Sequence, residues 1–304
     1  IVDTVRVWDL RVNPDDSPSV QQEGYVFDCA VSADGSTIVT TPSDTTLRVW
    51  DAQRGVEIRT LNGHSQNVHG CAVSADGSLI VSASADRTLK VWDGRSGDEL
   101  YTLTGHEEEV NRCAISSDGS FIVSSCDNGT LKIWDTATGQ ERFTLVGHEA
   151  AVYGCAISAD GTFIVSASDD GTLKIWDAES GAELLTLAGH ETTVFDCAIT
   201  SDNTTLVSAS HDGTLRVWDA RDGQELLLLY GHEAWVNSCA LSPDERLIVS
   251  TSSDSTIKVW DIEAENCLVT LRVDGELNTC VWLPDGEHIV AGGTNGVYFL
   301  RLMR

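Results

Sequence analysis

The sequence predicts an all-β repeat fold, and three observations predict it. The dipeptide Trp-Asp recurs at Trp8, Trp50, Trp92, Trp134, Trp176, Trp218 and Trp260, each 42 residues after the last. A cysteine keeps the same beat at Cys29, Cys71, Cys113, Cys155, Cys197 and Cys239, with Cys280 one residue early, and Gly-His marks it again at His64, His106, His148, His190 and His232. Between these marks lie short runs rich in Val, Ile, Leu and Thr, separated by Asp-Gly turns, with no sustained helical period. A fixed period of this size belongs to units that cannot bury their apolar faces alone and must stack in a line or a ring.

The unit around Trp176 shows the elements in order. VYGCAIS reads as a first strand closed by the turn ADG, TFIVSAS as a second closed by DDG, TLKIWD as a third closed by AESG, and AELLTLA as a fourth. Asp-Gly between apolar runs of this length is the signal of a tight hairpin, so each unit is expected to hold four antiparallel strands.

Composition bounds the rest. A chain of 304 residues buries roughly 75% of the surface its unfolded form exposes, enough for a large core. With 19 basic and 47 acidic residues, including only four lysines, the formal charge is −28. That field repels phosphate backbones and anionic lipid and favours cationic partners, so neither nucleic acid nor membrane is expected. No apolar run approaches the roughly 20 residues of a spanning helix, and no signal-peptide hydrophobic region is visible. The chain begins with Ile1, which suggests a domain cut from a longer protein. Nine cysteines without a CxxC pair argue against a disulfide framework or a zinc site. Cys71 and Val73 should share a side and pack between units, and reduced thiols point to the cytoplasm.

The pattern GH, then VxxCAxSxDG, then IVSASxDxTLKxWD resembles the WD-repeat family over essentially the whole chain. The resemblance implies one propeller domain over residues 1–304, seven blades of four strands around a central channel, with the blades spanning 25–302. Residues 1–10 (VRVWDL within them) are expected to close the ring as the outer strand of the last blade, in preference to 17–22 with its neighbouring Pro14 and Pro18. The ending VYFLRL also resembles the C-terminus of bacterial STAND (NACHT or NB-ARC) signalling ATPases, whose propellers act as sensors. No GxxxxGK[ST] phosphate loop is present.

In that family a His, a Ser or Thr, an Asp and the Trp of each blade form a buried network. It maps here to His64, Ser82, Asp86, Trp92; to His148, Ser166, Asp170, Trp176; to His190, Ser208, Asp212, Trp218; and to His232, Ser250, Asp254, Trp260. Ser, His and Asp could be a catalytic triad, but an enzyme needs its triad once, and four copies favour a structural reading. Asn128 replaces the Asp in the unit of Trp134, and Gln22 replaces the His in the unit of Trp50, so those blades should be less tightly pinned.

Function should then sit where the repeats differ. The resemblance implies a partner surface on the face of the GH loops, reached from both sides of the first-strand Val and from the position before the network Asp. Those positions hold Tyr25, Phe27, His69, Glu109, Asp127, Tyr153, Asp169, Phe195, His211 and Trp235. Aromatic residues dominate binding hot spots, and acids beside them select a basic protein or peptide. No cofactor is expected. His69 and His211 lack a third metal ligand at a suitable spacing, and turns such as Asp76-Gly77 and Asp160-Gly161 lack a calcium-loop pattern. The leading expectation is a non-catalytic, monomeric interaction or sensor module. Its rivals are a propeller enzyme using Glu109, Asp127, Asp169, His69 or His211 in the channel, and an architectural subunit assembling through blade edges.

Overall fold

The computed structural model describes residues 4–7, as backbone, and 24–303. These form seven antiparallel sheets of four strands each, the blades of a β-propeller. The first strands of blades 1 to 7 begin at Val26, Val68, Val110, Val152, Val194, Val236 and Leu277. Blade 4 serves for the others, with strands Val152–Ile157, Phe163–Ser168, Thr172–Asp177 and Glu183–Ala188. Its first hairpin closes on Asp160, whose carboxylate accepts the Thr162 amide at 3.0 Å, and on Gly161, whose φ of +72° favours glycine.

Each interface between blades is one apolar cluster. Val81, Ala83, Leu89, Val91 and Leu103 of blade 2 enclose Val110, Cys113, Ile122 and Trp134 of blade 3. Burying one such indole removes roughly 200 Å² from water, on the order of 5 kcal/mol before entropic costs. Cys71 and Val73 join the equivalent cluster between blades 1 and 2. All nine cysteines are unpaired, and seven of them are buried. Burial raises the buried first-strand thiols, Cys280 to about 12 for example, and holds them protonated.

Two features position the site. In every blade the register of the first and second strands jumps just after the leading Val or Leu, as from Val152↔Ser168 to Gly154↔Ala167, which leaves Tyr153 as an unpaired bulge residue. The same bulge frees Phe27, His69, Asn111, Phe195, Asn237 and Asn278. A bulge re-aims its extra side chain, here toward the channel mouth. The ring closes at blade 7, where Thr4–Val7 pairs antiparallel with Gly296–Met303, placing Thr4 opposite Met303. There Gly292 stands where other blades have a side chain, because a Cβ would sit 2.7 Å from Val26 of blade 1. Trp8, Gln22 and the alternative outer strand at 17–22 lie outside the described residues.

Candidate functional site: the channel mouth and its supports

Under the GH loops the four-residue sets are joined by short contacts. In blade 4, His148 Nδ1 lies 2.7 Å from Asp170 Oδ2, His148 Nε2 lies 2.7 Å from Ser166 Oγ, and Trp176 Nε1 donates to the same Oγ at 2.8 Å. With the proton on Nδ1, the chain runs Trp N–H to Ser oxygen, Ser O–H to His Nε2, His N–H to carboxylate. Asp170 also accepts the Glu149 amide at 3.1 Å and the Thr172 hydroxyl at 2.6 Å, so one carboxylate ties the loop to the turn. The sets of His64, His190 and His232 have the same geometry, each with 2.7 Å between Nε2 and the serine. Ser82, Ser166, Ser208 and Ser250 are each 0% exposed, so no substrate reaches these hydroxyls.

Burial pulls the imidazoles of His64, His148 and His232 below their ordinary pKa, against the pull of the paired aspartates. Burial pushes Asp254 up, but hydrogen bonds from Thr256, the Glu233 amide and His232 outweigh it and hold it down to about 2. Blade 3 differs. His106 Nε2 still meets Ser124 at 2.7 Å and Trp134 donates to Ser124 at 2.8 Å, but Asn128 turns its carbonyl to Thr130, and the buried His106 Nδ1 has no partner among the described residues. Burial without that carboxylate drops His106 to about 4.

At the channel mouth the bulge residues and their neighbours line a cavity of about 370 Å³. Tyr25, Phe27, His69, Tyr153, Phe195 and Trp235 are in its wall, with Asn237, Glu276 and Asn278 between them. The aromatics form two runs. Tyr25, Phe27 and His69 are spaced 4.8 and 5.1 Å centre to centre. Tyr153, Phe195, His211 and Trp235 are spaced 5.3, 4.2 and 3.9 Å, the last pair stacked. Trp235 is 53% exposed. Four predicted face residues adjoin this wall: Glu109 lies 3.9 Å from His69, Asp127 accepts Asn111 Nδ2 at 2.8 Å, Asp169 accepts the Thr193 hydroxyl, and His211 sits in the stack between Phe195 and Trp235. Burial raises Tyr25, with help from Glu276, and raises Tyr153, with help from Asp169. Among the described residues no group of three or more His, Cys, Asp or Glu could hold a metal.

One residue of the cavity lining was missed by sequence reasoning, together with the charges that hold it. Arg112 forms the floor, paired with Asp28, and Asp196 adds a second negative charge. Burial lowers the tendency of Arg112 to stay charged, but the two carboxylates outweigh it and raise its pKa. Burial pushes Asp196 above the ordinary carboxylate value against the pull of Arg112. Both aspartates also cross to the next blade: Asp28 accepts the Cys71 amide at 2.9 Å, and Asp196 accepts the Cys239 amide at 3.1 Å and the Ser238 hydroxyl at 2.7 Å. The signal was present. The residue two after the leading Val reads Asp28, Gly70, Arg112, Gly154, Asp196, Ser238 and, in blade 7, Thr279, a position that varies inside a repeated run. Gly70 is glycine because a Cβ there would meet the Asn111 carbonyl at 2.7 Å.

The fold and these supports define a repeat-built, seven-bladed β-propeller whose recurring polar sets lie inside the blades and whose varying residues gather at one channel mouth. The chain belongs to the WD40 family: the profile described as WD domain, G-beta repeat matches residues 18–51, 55–93, 97–135, 139–177, 181–219 and 223–261. Blade 7 lies outside those segments, and its third strand, Gly296–Met303, carries no Trp-Asp. No curated protein matches the chain. Propellers of this family are generally non-catalytic scaffolds for protein–protein interaction. Among the described residues no helix is long and apolar enough to cross a membrane.

Proposed function

We propose that this propeller is a non-catalytic interaction module that takes a protein or peptide bearing basic residues at the channel mouth on the GH-loop face. The observation that carries this reading is the cavity itself, walled by Tyr25, Phe27, Tyr153, Phe195 and Trp235 and surrounded by Glu109, Asp127, Asp169 and Glu276. Aromatic faces attract cations, the carboxylates favour the same sign, and the net charge of −28 steers basic partners inward. Arg112 does not reverse that preference, since Asp28 and Asp196 more than balance it. The role of sensor in a nucleotide-switch protein of the cytoplasm rests on the ending VYFLRL and on the unpaired thiols.

A displayed random-peptide library, selected on the parent and on a folded Phe27→Ala, Trp235→Ala variant, tests the reading. Lys- and Arg-rich peptides enriched by the parent and lost on the variant are expected. Equal enrichment on both would move the site off this face, and selection of acidic or uncharged peptides would overturn the charge argument.

A further inference from the structure

Two of the ring systems in the mouth are imidazoles, and neither belongs to the repeated His sets. His69 packs edge-on to Phe27 at 5.1 Å and lies 3.9 Å from Glu109. The other groups facing it are Asp127, Asn111 and Arg112. His211 is held between Phe195 at 4.2 Å and Trp235 at 3.9 Å, with its Nε2 buried and unpartnered among the described residues. Among the described residues the charged group facing His211 is Asp169, whose carboxylate also accepts the Thr193 hydroxyl, while the adjacent Asp212 is committed to His190 at 2.8 Å. The two histidines thus sit one in each aromatic run, on opposite sides of the same mouth.

We infer that His69 and His211 make this docking face acid-sensitive: neutral, they complete walls that attract a cation, and protonated, they turn the same walls against it. The inference rests on the docking of a basic peptide proposed above. A neutral imidazole adds polarizable ring surface beside Phe27 and Trp235, whereas an imidazolium places a positive charge where the partner's ammonium or guanidinium must come. Burial holds both groups below their ordinary value, so they are neutral at pH 7 and gain charge only as the pH falls below 6.5.

Two measurements test this. The first follows the emission of Trp235, taken as the parent spectrum minus that of Trp235→Phe, from pH 8 to 5. A protonated imidazole stacked on an indole quenches it, so a quenching step below pH 6.5 is expected, and His211→Asn should abolish it. An emission that is flat with pH would overturn the role of His211, whatever the face binds. The second reads the affinity of a fluorescein-labelled Lys-Ala-Arg-Ala-Lys peptide at pH 7.5 and 5.5, with Phe27→Ala, Trp235→Ala as the background for non-specific attraction. The parent should lose about tenfold. A His69→Gln, His211→Asn variant should show a ratio near one between the two pH values, whatever its affinity at pH 7.5. An equal loss in parent and variant would assign the effect to carboxylates and overturn the inference while leaving the docking reading intact. No specific binding at pH 7.5 would overturn both.

Discussion

Blades 3 and 4 share the third strand TLKI-Trp-Asp and nearly the same packing, and two of the polar positions at which they differ carry opposite lessons. Blade 4 has Gly154 facing the channel and Asp170 under its loop, and its His148 is bonded at both ring nitrogens. Blade 3 has Arg112 in the channel and Asn128 under its loop, and its His106 is bonded at one. The second difference is local, because it leaves one nitrogen without a partner. The first concerns the whole ring, because Arg112 faces carboxylates from blades 1 and 5. A repeat protein can therefore tolerate a weakened blade, but a charge at its axis must be balanced from elsewhere on the circle.

Giving blade 3 an uncharged axis should cost the most. Arg112→Met leaves Asp28 and Asp196 close together and uncompensated, and should cost about 3–5 kcal/mol in a urea titration. Adding Asp196→Asn should recover part of that loss; if it recovers none, the charge balance is not what Arg112 supplies. Next, Asp170→Asn imposes the defect of blade 3 on blade 4. Loss of a charge-assisted bond to a buried imidazole should cost about 1–3 kcal/mol, while the lowering of His148 deepens. An unchanged melting temperature would remove the network from the stability of the blade.

The reverse substitution, Asn128→Asp, should stabilise by about 1 kcal/mol, a rise of about 2 °C for a domain of this size. It also changes the acid response. His106 is held at about 4 when folded but takes a proton near 6.5 when unfolded, so its contribution to stability is lost as the pH falls from 6.5 towards 4. Raising its folded value narrows that window. Thermal melts at pH 7 and pH 4.5 should therefore show a smaller difference for Asn128→Asp than for the parent. Smallest in stability is Trp235→Ala, expected within about 0.5 kcal/mol because the ring is largely exposed, although it should remove peptide binding.

Much of this was legible in the residues themselves. The 42-residue beat, the hairpin turns and the strand count per unit are local, and local chemistry repeated along the chain is readable without coordinates. The mouth was readable in part. Tyr25, Phe27 and Trp235 stood out by type, but nothing in VYGC or VFDC announces a bulge, since the extra residue is defined only by what the second strand fails to pair with it. Asp28, Arg112 and Asp196, two positions after their Val, look unrelated along the chain until the ring brings them face to face.

The unit is written in the residues of one period: its four strands, its Asp-Gly turns and the polar set recurring in it each depend on near neighbours in the chain. What happens between units is set by the closing of the ring. Gly292 against Val26, Arg112 between Asp28 and Asp196, and His211 stacked on Trp235 join residues that are far apart in the chain or lie in different blades. They meet because closing the ring places one residue from every blade around a single axis, where the approach of neighbouring backbones fixes which side chains fit and the low dielectric fixes which charges must balance.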